Sequence, residues 1–151
     1  MTGRHLRPLA ALAALALAGA CAPPGPRPIA LGKENCRHCH MTIADPRFAA
    51  ELVTARRMVY VFDDVGCLLA FVRQGTVPEE QVHSLWVYDY LRPDSLLDAR
   101  HALYLRVDAL GTPMGSHLAA LRAGRAADSL HALLGGELLA WDQLPAEGHG
   151  G

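Results

Sequence analysis

No basic run occurs in this chain, no stretch of about 20 apolar residues is long enough to span a bilayer, and the C-x-x-C pattern appears once and is not repeated. Each absence excludes something. Without a basic patch the chain has no electrostatic footprint for nucleic acid. The longest apolar run, Leu9 to Ala18, is too short to be a stable spanning helix. Zinc suits the donors present, but a structural zinc site takes four of them, commonly with a second Cys/His pair at fixed spacing, and no second pair exists.

The short apolar run has another use. Arg4 and Arg7 precede it, Gly19-Ala20-Cys21 follows it, and Pro23-Pro24 comes next, which are the marks of an export signal over residues 1–20. Leu17-Ala18-Gly19-Ala20-Cys21 resembles a bacterial lipobox, in which the cysteine is lipidated and becomes the first mature residue. The usual pattern places Leu or Val where this chain has Ala18, and ordinary cleavage after Ala20 is the alternative. Several acyl chains on Cys21 would hold the protein at a membrane surface. The expected location is therefore outside the cytoplasm, facing the periplasm or cell exterior, on a membrane anchor. Loss of residues 1–20 removes two of the 14 basic residues and none of the 15 acidic ones, leaving a mature charge of −3.

Residues 21–30 follow as a Pro-rich tether, with four prolines and a glycine between Ala22 and Pro28. The folded body is expected over 31–144, and 145–151 is a Gly-rich tail. Within the body, Phe48–Val53 and Met58–Phe62 read as strands, and Asp63-Asp64 caps a helix with apolar positions Val65, Leu68, Leu69 and Val72 that stops at Gly75. Leu85–Tyr90 is a further strand. The second half repeats the order, with strands at Leu103–Val107 and Leu118–Leu121, a helix over Arg125–Leu134 carrying Ala127, Leu130, Leu133 and Leu134 on one side, and a strand at Leu138–Trp141. Leu118–Leu121 is rich in Ala and Leu and suits a helix equally. The expected fold class is α+β, built from two small ββαβ units.

The chemistry concentrates in Cys36-Arg37-His38-Cys39-His40-Met41. Thiolate and thioether sulfur are soft donors that select Cu(I), and imidazole also suits copper. Cys36, Cys39 and Met41 are the candidate ligands, with His38, His40, Met114 and His117 as possible additions. Cys67 reads as a buried core cysteine in an apolar helix, with a ligand role as the alternative, Met58 as a core residue, and His101 has no evident partner. The same string spells C-x-x-C-H, on which haem is attached in c-type cytochromes, with His40 proximal and Met114 as a distal ligand. Cytochromes of this size are mainly helical, whereas the segments next to the motif are strand-like. A thiol-disulfide reductase would set its pair at a helix start after a strand, and no strand precedes Cys36. Outside the cytoplasm the pair can oxidise and would then need reduction before holding copper.

Cys36-x-x-Cys39-x-Met41-x-Ile43-x-Asp45 with Phe48-Ala49-Ala50, then Phe62-Asp63-Asp64-Val65-Gly66-Cys67, Pro113-Met114-Gly115 and Gly135-Gly136, resembles the NosL lipoproteins over most of the mature chain. These are copper chaperones that accompany nitrous oxide reductase, the copper enzyme of denitrification, whose centres are assembled outside the cytoplasm. The resemblance implies a Cu(I)-binding, membrane-tethered, non-enzymatic protein with two ββαβ units, and as partners an apo copper enzyme or its maturation machinery. It also implies that Cys36, Cys39 and Met41 match the family's signature segment. One departure stands out. The family usually has glycine before the methionine, where this chain has His40, and that residue alone creates the haem-like string.

Overall fold

The computed structural model describes residues 22–145. The expected export signal over residues 1–20, Cys21 and residues 146–151 lie outside them. Two antiparallel sheets form the body, each with one helix. The first contains β1 (Ala50–Thr54), β2 (Val59–Phe62), β3 (Val82–Asp89) and β4 (Arg92–Asp98) in the order β2-β1-β3-β4, with α1 (Val65–Arg73) between β2 and β3. The second contains β5 (Leu103–Arg106), β6 (Leu118–Leu121) and β7 (Glu137–Leu139) in the order β6-β5-β7, with α2 (Arg125–Leu134) between β6 and β7. Leaving β4 aside, both halves place their first strand between their second and third. The two-unit ββαβ expectation therefore describes the fold, with one strand added.

The added strand was hidden by its composition. Arg92-Pro93-Asp94-Ser95 is polar and carries a proline, which lacks the N–H that an inner strand must donate. β4 tolerates it because it lies at the sheet edge and pairs only with β3, through Trp86 opposite Asp98 and Val87 opposite Leu97. Leu118–Leu121 resolves as a strand, and all four residues are buried. Burial on both faces explains why no alternation marks it in the sequence.

Central strand β1 is buried along its whole length, Glu51 included. The Glu51 carboxylate accepts hydrogen bonds from the backbone N–H of Arg27 at 3.0 Å and from the Tyr88 hydroxyl at 3.1 Å. Burial raises its pKa above the usual carboxylate range. The Arg27 guanidinium in turn pairs with Glu34 at 2.6 Å, and Ile29 packs on the main core. The end of the Pro-rich segment thus lies against the first sheet.

α1 begins as its sequence predicts. The Asp64 side chain accepts from the Gly66 N–H at 2.7 Å, capping the helix, and Gly75 takes a left-handed φ of +64° just beyond the end. Val65, Leu68, Leu69 and Phe71 are buried, while Val72 is half-buried. α2 departs from expectation. Ala127 is buried and Leu130 half-buried, but Leu133 is 79% exposed and Leu134 39%. At about 100° per residue, Leu133 lies about 240° round the helix from Ala127 and so points away from the sheet. Met58 is a second correction. It precedes β2 rather than entering it, and is 54% exposed instead of core. His101 is exposed, with its ring 3.4 Å from Asp98.

The two halves meet where β6 packs beside β3, with the Tyr90 N–H donating to the Ala120 carbonyl at 2.8 Å, in one shared apolar core, and again at the start of α1. The other Asp64 oxygen accepts the Met114 N–H at 2.9 Å from the loop before β6. A Cβ on Gly66 would lie 2.7 Å from the Ser116 Cβ, so only glycine permits this approach. Gly66→Ala is expected to cost about 1–3 kcal/mol, read as a lowered melting temperature of the full chain. An unchanged melt would mean that the loop does not pack on α1 as described.

Candidate metal centre

The Cys36–Cys39 segment forms a tight turn held by its own backbone. Cys36 N–H donates to the Met41 carbonyl at 2.8 Å, and His40 N–H to the Cys36 carbonyl at 3.0 Å. Asn35 and Thr42 pair as an isolated antiparallel bridge, and fully buried Ile43 plugs the turn into the core. Arg37 N–H donates to the Val61 carbonyl at 2.8 Å, which pins the turn to β2 beside Asp63.

That docking gathers four donors. The sulfurs of Cys36, Cys39 and Cys67 and a carboxylate oxygen of Asp63 all lie within 4.8 Å of one another. The three thiols are free. Cys36, Asp63 and Cys67 are almost wholly buried, at 1%, 2% and 2% exposure, and Cys39 is half-buried. The Cys39 thiol stands 3.4 Å from both Asp63 oxygens. Two sequence-distant pieces contribute: the turn, and the β2–α1 junction that carries Asp63 and Cys67.

Cluster electrostatics divide the thiols. A hydrogen bond from Cys67 lowers the Cys36 pKa to about 7 against the opposing effect of burial, and the backbone N–H groups of Cys39 and Asp63 assist. Burial raises Cys39 to about 11. Cys67 is raised far above the usual thiol range, because it donates to Cys36 and is itself buried. Cys36 is thus the most readily ionised thiol of the group, its thiolate stabilised by its neighbours.

Among the other candidates, His38, His40 and His117 are not part of this cluster. Met41 is 51% exposed, and its N–H is directed at the Cys39 sulfur. His38 is half-buried and His40 exposed. Met114 is 37% exposed on the loop that Asp64 anchors, one residue along the chain from Asp63. His117, half-buried on the same loop, holds its Nδ1 2.8 Å from the Leu110 carbonyl. A carbonyl only accepts, so Nδ1 carries the proton and Nε2 keeps a free lone pair.

Two donors escaped the sequence reading. Cys67 is a core residue, as expected, but its sulfur faces two other thiols; the apolar residues around it in α1 concealed that. The sequence offers Asp63-Asp64 together as a helix cap, and only Asp64 caps. The signal for both was Asp63-x-x-x-Cys67 within the Phe62–Cys67 string.

The haem-like string has a backbone explanation. His40 adopts a left-handed φ of +65°, a conformation natural to glycine and more accessible to His than to most residues. The turn demands a left-handed residue before Met41, and His40 meets that demand while exposed to solvent. Haem attachment would need both sulfurs open to a porphyrin edge, yet the Cys36 sulfur is enclosed by Cys67 and Asp63. The pair also sits in a turn, not at a helix start, unlike the arrangement expected of a thiol-disulfide reductase.

His40→Gly is expected to keep the melting temperature close to that of the parent, since relief of the left-handed strain offsets the greater freedom of glycine in the unfolded chain. His40→Val should lower stability by about 1–2 kcal/mol, because a β-branched residue fits that conformation poorly. Equal melts for the two variants would contradict the described turn.

A search of curated proteins finds no match. In fold, the chain is similar to a solved structure described as the copper chaperone NosL from Shewanella denitrificans, with 22% identity, a TM-score of 0.66 and coverage of 81% of this chain and 96% of that one. The sequence model of the NosL family matches residues 28–148. With that match running through both sheets and the cysteine turn, the chain belongs to the NosL family.

Proposed function

We propose that this protein is a copper chaperone: an exported domain, lipid-anchored through Cys21, that receives Cu(I) and passes it to an apo copper enzyme or its maturation machinery outside the cytoplasm. Nitrous oxide reductase is the recipient the family resemblance favours. The observation that carries the proposal is the convergence of three free thiols, two on the Cys36–Cys39 turn and one at the start of α1, a donor set that selects a soft cation. The structure of a copper chaperone on the same fold supports it.

Cys36, Cys39 and Met41 are the proposed Cu(I) ligands. Cys36 supplies a ready thiolate and Cys39 a second sulfur that gives up its proton on binding. Met41 stands at the exposed rim, where its thioether would engage the incoming or departing ion. Met114, His117, His38 and His40 are further donors on the approach, and the free Nε2 of His117 suits that role. Transfer would proceed by ligand exchange, a recipient's donor entering from the exposed side as a rim ligand leaves. No substrate is turned over, so no enzymatic activity is expected.

Replacing Cys36 and Cys39 by Ser and Met41 by Leu together should abolish Cu(I) binding, measured anaerobically against a chelator of known affinity, with the sheets still folded by circular dichroism. Unchanged affinity in the folded triple variant would sink the assignment. The pH dependence is a second check. Cu(I) displaces a proton from each thiol that is protonated at the working pH. With Cys36 near 7 and Cys39 near 11, the logarithm of the apparent affinity should rise by about two per pH unit below pH 7 and about one above it. A flat profile would mean that the thiols are not the ligands.

A further inference from the structure

We propose that Cys36, Cys39, Asp63 and Cys67 form a site for a second kind of metal, a divalent tetrahedral cation of the Zn(II) class, distinct from the Cu(I) the protein would carry. The sequence offered too few donors for such a site. The fold supplies the missing two by bringing Asp63 and Cys67 against the turn.

Geometry is the first argument. Zinc bonds of about 2.3 Å to sulfur and about 2.0 Å to oxygen give tetrahedral edges of about 3.8 Å between sulfurs and about 3.5 Å between sulfur and oxygen. The Cys39 sulfur lies 3.4 Å from the Asp63 oxygens, and no pair among the four donor atoms exceeds 4.8 Å. Four donors therefore lie close enough together to reach one ion with small side-chain adjustments, and they belong to elements the core already holds in place.

Charge and donor type are the second. Three thiolates and a carboxylate carry four negative charges in a nearly buried place. A divalent ion leaves two uncompensated and a monovalent ion three, and every uncompensated buried charge is costly. Carboxylate oxygen is also a hard donor with little affinity for a soft monocation, while it is an ordinary ligand of zinc. Asp63 is 2% exposed, and its carboxylate meets only the Cys39 thiol among the hydrogen bonds of the described residues. A buried carboxylate facing three thiols has no apolar packing role that explains it.

Use of Cys36 and Cys39 by both ions makes their occupancy mutually exclusive. Zn(II) does not change oxidation state, so a zinc-loaded site would keep three clustered thiols from pairing as a disulfide in an oxidising compartment. Cu(I), with its stronger preference for thiolate sulfur, would displace it when delivered. The inference rests on the proposed function only for this exchange; zinc binding itself does not require it.

Asp63 separates the two ions experimentally. The reduced, metal-free full chain is titrated with Zn(II) and, anaerobically, with Cu(I), each against a competing chelator, beside Asp63→Asn and Cys67→Ser. The wild type should bind one Zn(II) per chain, and Co(II) in its place should give the intense visible bands of a tetrahedral sulfur site. Loss of a supporting partner of a ligand already weakens a metal site by about 10–100-fold, so Asp63→Asn should weaken Zn(II) by at least about 100-fold and Cu(I) by less than about threefold. Cys67→Ser, which keeps the size of the side chain, should weaken Zn(II) and bleach the Co(II) sulfur bands. No Zn(II) uptake by the wild type, or equal loss of both ions in folded Asp63→Asn, would overturn the inference while leaving copper binding standing. Zn(II) uptake without Cu(I) uptake would uphold it and remove the copper proposal.

Discussion

Two adjacent buried carboxylates, Asp63 and Asp64, tie the metal centre to the rest of the structure at the junction of β2 and α1. They face different neighbours. Asp64 takes the Gly66 N–H and so starts α1, and its second oxygen takes the Met114 N–H and so fastens the other half of the protein to the same point. Asp63 meets the Cys39 thiol, with Cys36 and Cys67 alongside. One dipeptide thus joins the cysteine turn, the first helix and the loop from the second sheet. Burying two carboxylates is costly unless each is partnered; Asp64 is satisfied by backbone donors, whereas Asp63, among the described residues, meets thiols, which are weak donors.

The asymmetry bears on function. A fully satisfied Asp64 is structural and would serve any metal or none. Asp63, poorly satisfied by protein, is where a cation would bring a large gain. The exposed sulfur and nitrogen groups lie elsewhere, on Met41, His40 and Met114. The protein therefore has a buried, pre-gathered donor set and a looser rim of soft donors, an arrangement suited to holding an ion and yielding it to a competitor.

Much of the fold was legible because local signals agreed. The Asp64 cap, the α1 periodicity and the Gly75 stop all pointed to one helix, and the strand runs around Leu52, Val61 and Leu105 were rich in β-branched or aliphatic residues. β4 was illegible because edge strands may be polar and proline-bearing. The exposure of Leu133 escapes a reading that groups it with Ala127, because about 240° of helix separates the two. At the site, Cys36 and Cys39 announced themselves by spacing. Asp63 and Cys67 could not, because their proximity depends on Arg37 docking on Val61 across a gap of 24 residues. A donor set assembled by tertiary contact leaves little trace in local sequence, and Cys67 was further masked by its apolar neighbours.

The central claim is that this chain holds copper through the sulfurs gathered on the Cys36–Cys39 turn. X-ray absorption at the copper edge of the anaerobically Cu(I)-loaded full chain tests it most directly. The account predicts monovalent copper with sulfur as the majority of its nearest neighbours. A shell of nitrogen and oxygen without sulfur would place the ion elsewhere and contradict it.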